Sequence, residues 1–129
     1  MLAIDTNLIV RYLVSDHPVQ TARARALIDN HDVFICTTVL LETEWVLRSV
    51  YDFEPARIAT ALVAFAGLPH VTVENPTLVA TALDWMTKGI DLADALRLLQ
   101  SRDCEAFVTF DVRFARAANQ LGGIAVRAP

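Results

Sequence analysis

The amino-acid sequence predicts a single α/β domain over residues 1–129, in which short strands alternate with helices. Short apolar runs end abruptly at polar residues and pass into helical patterns, as buried parallel strands do. Helix-starting and helix-ending residues recur along the whole chain, without an internal repeat, a linker or a low-complexity tract. We therefore expect a central, mostly parallel sheet of four to five short strands, flanked by about seven helices.

The composition is that of a globular chain. It is 54% hydrophobic, yet no apolar run approaches the ~18 residues that a membrane span needs. No basic segment followed by an apolar one marks a secretory signal. Cys36 and Cys104 are too few for a disulfide framework, so we expect reduced thiols and a cytoplasmic protein.

The charge argues against one class of function and leaves another open. A net charge of -4 and a pI near 5.2 argue against a broad basic face for non-specific nucleic-acid binding. They do not argue against an acidic metal site with arginines around it. Ten of the eleven basic residues are arginine, Lys88 being the exception, and guanidinium groups suit bidentate contacts to phosphate or carboxylate.

The first strand and the first helix meet at Asp5. The apolar run 1–4 ends at this residue, and 8–14 continues with an apolar helical face. Ligands of open α/β sheets bind outside the carboxyl ends of the strands, so a carboxylate here faces a crevice. Asp5 is therefore either a functional acid or the N-cap of the helix, and its position alone favours neither.

Turn residues and apolar periodicity predict the remaining elements. Thr37–Thr38 is the expected cap of the third helix, and Gly89 the glycine stop of the fifth. In the second helix, one apolar side is expected to carry Val19, Ala22, Ala26 and Leu27. The later helices are predicted over 18–29, 38–51, 75–86, 90–100 and 112–120, and between the second and third of these a helix begins within 52–55 and ends near 66. The later strands are predicted over 33–36, 71–73, 106–110 and 124–126.

Five acidic residues occupy related places in this pattern. Asp5 and Asp111 each end a strand, whereas Glu42, Asp91 and Asp94 lie in the first turns of helices. The carboxyl ends of parallel strands share one face of the sheet with the N-termini of the following helices, so these acids can converge. Asp91 and Asp94 are three residues apart and lie on the same side of their helix.

Converging carboxylates need a cation, because several of them cannot stay ionised together without one. Oxygen ligands without His or Cys suit the hard ions Mg²⁺ and Mn²⁺. Such ions lower the pKa of an attacking water and stabilise charge on phosphoryl oxygens, which suits phosphodiester hydrolysis. Thr6, Asn7 and Thr109 are candidates for hydrogen bonds to the ligands or to metal-bound waters.

Four motifs along the chain resemble those of PIN domains, and they span nearly the whole sequence in order. They are Ile4-Asp5-Thr6-Asn7, Glu42-x-x-Trp45-Val46-Leu47, Asp91-Leu92-Ala93-Asp94-Ala95-Leu96 and Thr109-Phe110-Asp111. The chain is most similar to the small, single-domain ribonuclease toxins of the VapC type. This resemblance implies a PIN-like fold and a Mg²⁺- or Mn²⁺-dependent endoribonuclease acting on RNA.

The same resemblance implies roles for residues and partners. Asp5, Glu42, Asp94 and Asp111 match the family's acidic centre. The implied metal ligands are Asp5, Asp94 and Asp111, with Asp91 matching a more variable acid. Toxins of this type are usually homodimers, and a cognate antitoxin neutralises them with a C-terminal segment that lies across the active-site groove.

Some of these residues have plainer interpretations. Asp91 is as readily a helix cap as a metal ligand. Glu44 lies about 200° around its helix from Glu42 and is expected on the solvated surface. Trp45 and Trp85 are expected in the core or at a subunit interface.

Two other classes of function require residues that this chain lacks. A haloacid-dehalogenase-like phosphatase needs an aspartate where Asn7 stands, and a response-regulator receiver needs an acidic pair after the first strand. The alternatives that remain are a PIN-like module without catalysis, serving as a scaffold or repressor partner, and a housekeeping RNA-processing nuclease. The intact set of acids argues against the first, and analogy in size favours a toxin over the second.

Overall fold

The computed structural model describes residues 1–129, which form two compact units, Met1–Pro76 and Thr77–Pro129. Seven helices and five short strands alternate along the chain, and every strand pair is parallel. The predicted α/β fold class is therefore confirmed, but the five strands form a three-stranded and a two-stranded sheet rather than one central sheet. None of the helices is long and apolar enough to pass through a membrane.

The first unit is a three-stranded sheet with helical crossovers. Its elements are β1 (Leu2–Ala3), α1 (Thr6–Leu13), α2 (Pro18–Asn30), β2 (Val33–Ile35), α3 (Thr37–Ser49), α4 (Pro55–Ala66) and β3 (Val71–Val73). The strands lie in the order β1-β2-β3, with Ala3 opposite Phe34 and Phe34 opposite Thr72. Because the strands are parallel, the residues that follow them come to one edge of the sheet.

Branched aliphatic side chains form the core of the first unit. The alternation of β2 and β3 buries Val33, Ile35, Val71 and Val73 and turns the intervening residues outward. α1 packs against α2 and α3, and α3 packs against α4. The fully buried helical side chains are Ile9, Ile28, Leu40, Leu47, Ile58 and Leu62. Each stabilises the unit by about 1.5–3 kcal/mol relative to an exposed side chain.

The second unit has a two-stranded sheet and a smaller core. Its elements are α5 (Pro76–Thr87, beginning at the last residue of the first unit), α6 (Leu92–Gln100), β4 (Phe107–Val108), α7 (Val112–Gln120) and β5 (Val126–Arg127). β4 and β5 pair with Phe107 opposite Val126. Buried Leu98, Ala118 and Val126 pack with Trp85 and Phe107, among other partly buried side chains.

Two glycines have backbone roles in the second unit. Gly89 follows α5 with φ at 96°, a conformation that L side chains rarely adopt, and this confirms the predicted glycine stop. At Gly123 a Cβ atom would lie 3.1 Å from the ring of Trp85, so the absence of a side chain there permits close packing.

The expected buried side of α2 is wrong. Val19, Ala22 and Ala26 are exposed, whereas Thr21, Ala24 and Ile28 are buried. Small apolar residues occur on more than one side of this helix, so hydrophobicity alone does not define its packed face. The packing of α1 against α2 decides which side is covered.

Candidate functional site

Asp5 follows β1 and caps α1. Its Oδ1 accepts a 2.8 Å hydrogen bond from the backbone N–H of Thr6, and its backbone carbonyl accepts one from the N–H of Leu8. Asp5 is exposed although its neighbours Ile4 and Thr6 are buried. One carboxylate oxygen therefore binds the helix start while the other makes no hydrogen bond within the chain, so capping and ligand binding are compatible at this residue.

The hydroxyl of Thr6 has no hydrogen-bond partner. Thr6 is 3% exposed, and its Oγ1 is buried without a donor or acceptor in contact. Leaving a hydroxyl buried in this way costs about 1–3 kcal/mol. Asn7, the next residue, is exposed. The two polar residues after Asp5 thus have opposite environments, one withdrawn into the core and one open to solvent.

The two glutamates of α3 also differ, and the expectation for Glu44 is wrong. Glu42 is exposed, whereas Glu44 is 3% exposed and its Oε1 accepts a 2.8 Å hydrogen bond from Nε of Arg48. Because the two glutamates lie about 200° apart on the helix, one of them faces the packed side when the other faces solvent. The guanidinium of Arg48, one turn later, compensates the negative charge of the buried Glu44 carboxylate.

The start of α3 is capped by a residue that directly follows β3. Cys36 stands at the N-cap position without a side-chain capping bond, and Oε1 of Glu74 accepts hydrogen bonds of 2.8 Å from both N and Oγ1 of Thr37. These bonds lower the pKa of the Glu74 carboxyl. A hydrogen bond with Thr38 lowers the pKa of the Cys36 thiol. The expected capping by Thr37–Thr38 is therefore wrong.

Glu74 is not among the residues that the sequence motifs predict, although its place directly after a strand is the same signal that identifies Asp5. It directly follows β3, as the stretch around Asp5 follows β1, and it lies at the same edge of the three-stranded sheet. The rule that acids at strand ends converge therefore applies to Glu74 as well.

The two aspartates of α6 make different contacts. Asp91 stands at the N-cap position, but its side chain makes no capping hydrogen bond to the helix. Oδ1 of Asp94 accepts a 2.9 Å hydrogen bond from Nη1 of Arg97, three residues later. Asp94 is half-buried and Arg97 is exposed. The side-chain capping expected as one interpretation of Asp91 is thus absent.

Asp111 follows β4 and caps α7. Its Oδ1 accepts a 3.0 Å hydrogen bond from the N–H of Phe114, and its own N–H donates to Oγ1 of Thr109 at 3.1 Å. Thr109 therefore orients the backbone of Asp111. Phe110 and Val112, on either side of Asp111, are 87% and 68% exposed.

The two tryptophans differ in their burial. Trp85 packs in the core of the second unit, whereas Trp45 is 53% exposed on α3. Cys36 and Cys104 are free thiols. Trp45 is therefore not a core residue, and an interface is the expectation that remains for it.

The acids are chemically suited to a hard divalent ion. Carboxylate oxygens are the ligands that Mg²⁺ and Mn²⁺ prefer, and each of the four motif acids is exposed or half-buried. No group of three or more His, Cys, Asp or Glu side chains in the structure is arranged to hold a metal ion. The assignment of particular acids to one ion is therefore a proposal.

The chain combines a parallel α/β fold with acids that follow its strands and lie in the early turns of its helices. The PIN domain family matches residues 2–120, and the chain belongs to this family. PIN domains are typically metal-dependent nucleases. A comparison with curated protein sequences finds no match.

Proposed function

We propose that this protein is a Mg²⁺- or Mn²⁺-dependent endoribonuclease that hydrolyses RNA phosphodiester bonds, and that it is the toxin of a toxin–antitoxin pair. The observation that carries the proposal is the family match over residues 2–120, which includes all four acidic motifs. The toxin assignment rests on the resemblance of those motifs to VapC-type proteins.

Asp5, Glu42, Asp94 and Asp111 are the proposed catalytic acids. Asp5, Asp94 and Asp111 are proposed to bind the ion through carboxylate oxygens, with Asp91 as a further ligand. When bound, the ion supplies a water of lowered pKa and offsets negative charge on the phosphoryl oxygens.

The chain itself prepares these carboxylates for ligand binding. Asp5 and Asp111 each accept a hydrogen bond from a backbone N–H at a helix start, which holds one oxygen of each carboxylate in place. The guanidinium of Arg97 likewise holds Oδ1 of Asp94 through a 2.9 Å ion pair. We assign Thr109 to the orientation of Asp111, the backbone N–H of Thr6 to the orientation of Asp5, and the exposed amide of Asn7 to a polar contact near Asp5.

The proposal includes protein partners. Apolar side chains exposed on helices of the first unit are Val19, Trp45 and Val63, and Val50 is exposed directly after α3. They support self-association into a homodimer through apolar helix faces, and a cognate antitoxin is the proposed second partner. Light scattering at micromolar concentration is expected to give the mass of a dimer, and the mass of a monomer would contradict this part of the proposal.

The test of activity is cleavage of cellular RNA by the purified protein, free of antitoxin, with Mn²⁺ or Mg²⁺. We expect discrete fragments that disappear in EDTA. Asp94→Asn removes a ligand charge and is expected to lower the cleavage rate roughly 100-fold or more without unfolding the protein. Asp84→Asn is the matched control, because Asp84 is an exposed helical aspartate of the same unit, paired with Lys88.

Three results would change the conclusion. No cleavage with any metal, from folded protein, would favour a PIN-like binding module. Cleavage by Asp94→Asn at the wild-type rate would remove Asp94 from the site. Cleavage restricted to structured precursor RNA would favour a housekeeping processing nuclease over a toxin.

A further inference from the structure

A pocket with both polar and apolar lining residues lies between α1 and α2. It has a volume of about 410 Å³, and its polar lining is Asn7, Arg11, Gln20 and Arg23. Asn7 comes two residues after Asp5, so the Cα atoms of these residues are at most ~7–8 Å apart. The pocket therefore lies near one of the proposed catalytic acids, although Asp5 itself does not line it.

The two arginines of the pocket differ in availability. Arg11 donates from Nη1 to Asp16 at 3.1 Å and to Tyr51 at 3.2 Å, and from Nε to Gln20 at 2.7 Å. Its position is fixed, and Asp16 offsets its charge. Arg23 is exposed and makes no hydrogen bond or ion pair within the chain. Arg23 is therefore the cation in this pocket that is available to an anion.

The remaining lining suits a flat group with polar edges. Leu8 and Leu27 contribute apolar surface, and no acidic side chain lines the pocket. The amide of Asn7 offers both a donor and an acceptor, and Gln20 retains its amide nitrogen while its oxygen binds Arg11. A carboxylate or phosphate uses donors alone, whereas a nucleobase edge pairs with both. The combination fits a nucleotide better than an acidic side chain.

We infer that this pocket holds one nucleotide of a single-stranded RNA next to the bond that is cut. Arg23 binds a phosphate of that nucleotide, and the amide of Asn7 contacts the edge of the base. This inference rests on the proposed ribonuclease function, because it places the pocket beside the cleaved bond. It adds a source of nucleotide preference outside the acidic centre.

The test measures RNA binding apart from cleavage, in EDTA, by fluorescence anisotropy with a labelled 12-nucleotide single strand. Arg23→Ala is expected to raise the Kd roughly tenfold, as loss of a charged hydrogen bond does. It should also reduce the slope of log K against log salt by about 0.7, the value for one phosphate contact on a single strand. Arg23→Lys should restore affinity in part, since it keeps the charge without the planar fork.

Arg25→Ala is the matched control. Arg25 lies on the same helix and carries the same charge, but it binds the carbonyl of Tyr12 and the hydroxyl of Ser15 and does not line the pocket. We expect this variant to change the Kd less than about twofold. Equal losses in Arg23→Ala and Arg25→Ala would show that only surface charge matters and would overturn the inference.

Base recognition is tested with homopolymers of A, C and U. Wild-type protein should prefer one of them, and Asn7→Ala should reduce that preference more than it reduces the mean affinity. Equal affinity of the wild type for all three would overturn the contact to the base.

An octaglutamate peptide serves as the competing ligand. If Arg23→Ala weakens binding of the peptide but not of RNA, the pocket takes an acidic protein segment and the inference fails. If wild-type protein binds RNA through Arg23 but does not cleave it with any metal, the proposed function fails while the RNA site stands. If the protein cleaves RNA and the Arg23→Ala variant binds and cleaves it as well as the wild type, the inference fails while the proposed function stands.

Discussion

Two corners of the chain, one in each unit, place an aspartate between a strand and a helix. At the first corner Asp5 binds the N–H of Thr6, and at the second Asp111 binds the N–H of Phe114. Both aspartates are exposed N-caps. The local arrangement is the same, although the two corners belong to units of different size and sheet order.

The surroundings of the two corners differ. Asp5 stands between buried Ile4 and Thr6, whereas Asp111 stands between the exposed side chains of Phe110 and Val112. Capping depends on the residue itself and on the next few N–H groups, so it recurs wherever a strand leads into a helix. Burial of the neighbours depends on what packs over them, and this gives each aspartate a different role in stability.

The largest effect that we expect distinguishes the N-cap role of Asp5 and Asp111 from their proposed role in RNA cleavage. Asparagine is as good an N-cap as aspartate, so Asp5→Asn and Asp111→Asn should keep the stability of the protein. Each should nevertheless lower RNA cleavage roughly 100-fold, because the ligand charge is lost. Full activity of either variant would show that its aspartate is a cap alone, and would distinguish the two corners by function.

A smaller effect tests the difference in burial. Ile9, on the helix that Asp5 caps, is 0% exposed, and Ile9→Ala should lower the free energy of unfolding by about 2–5 kcal/mol. Phe110→Ser, beside Asp111, should change it by less than about 0.5 kcal/mol. Urea denaturation followed by circular dichroism measures both. A similar loss in the two variants would show that Phe110 is covered in solution.

The smallest effect concerns the start of α3, which Glu74 caps. The pKa of Glu74 is lowered in the folded protein, so its carboxylate contributes stability above the ordinary pKa of glutamate. That contribution is lost as the pH falls through the lowered pKa. Wild type should therefore exceed Glu74→Gln in stability near pH 7 and match it under strongly acidic conditions.

Glu105→Gln is the control for this comparison, because Glu105 is an exposed glutamate outside the capping contacts. A constant difference between wild type and Glu74→Gln from pH 7 to pH 2 would show that the charge of Glu74 does not matter.

The sequence predicts the corners better than it predicts what surrounds them. Asp5 and Asp111 are recognisable because each ends an apolar run, and Pro18 marks the start of α2 by its preference for the first helical turn. These signals are local. The burial of Glu44 is not local, because two sides of α3 carry acids and only packing decides which side is covered.

Long-range contacts account for the other differences. The bonds between Glu74 and Thr37 join residues 37 positions apart, and no local pattern specifies such a pair. The order of strands in each sheet likewise depends on crossovers rather than on the strands' own residues. The acidic centre was assigned by resemblance to a family, since each acid by itself is equally a helix cap or a surface charge.

The cap that Glu74 provides to α3 also has a consequence for the nascent chain. A ribosome adds about 5–20 residues per second, so Thr37 is made roughly two to seven seconds before Glu74. During that interval the start of α3 lacks the Glu74 carboxylate that accepts two hydrogen bonds from Thr37. This cap of the helix that carries Glu42 can therefore form only once β3 has been made.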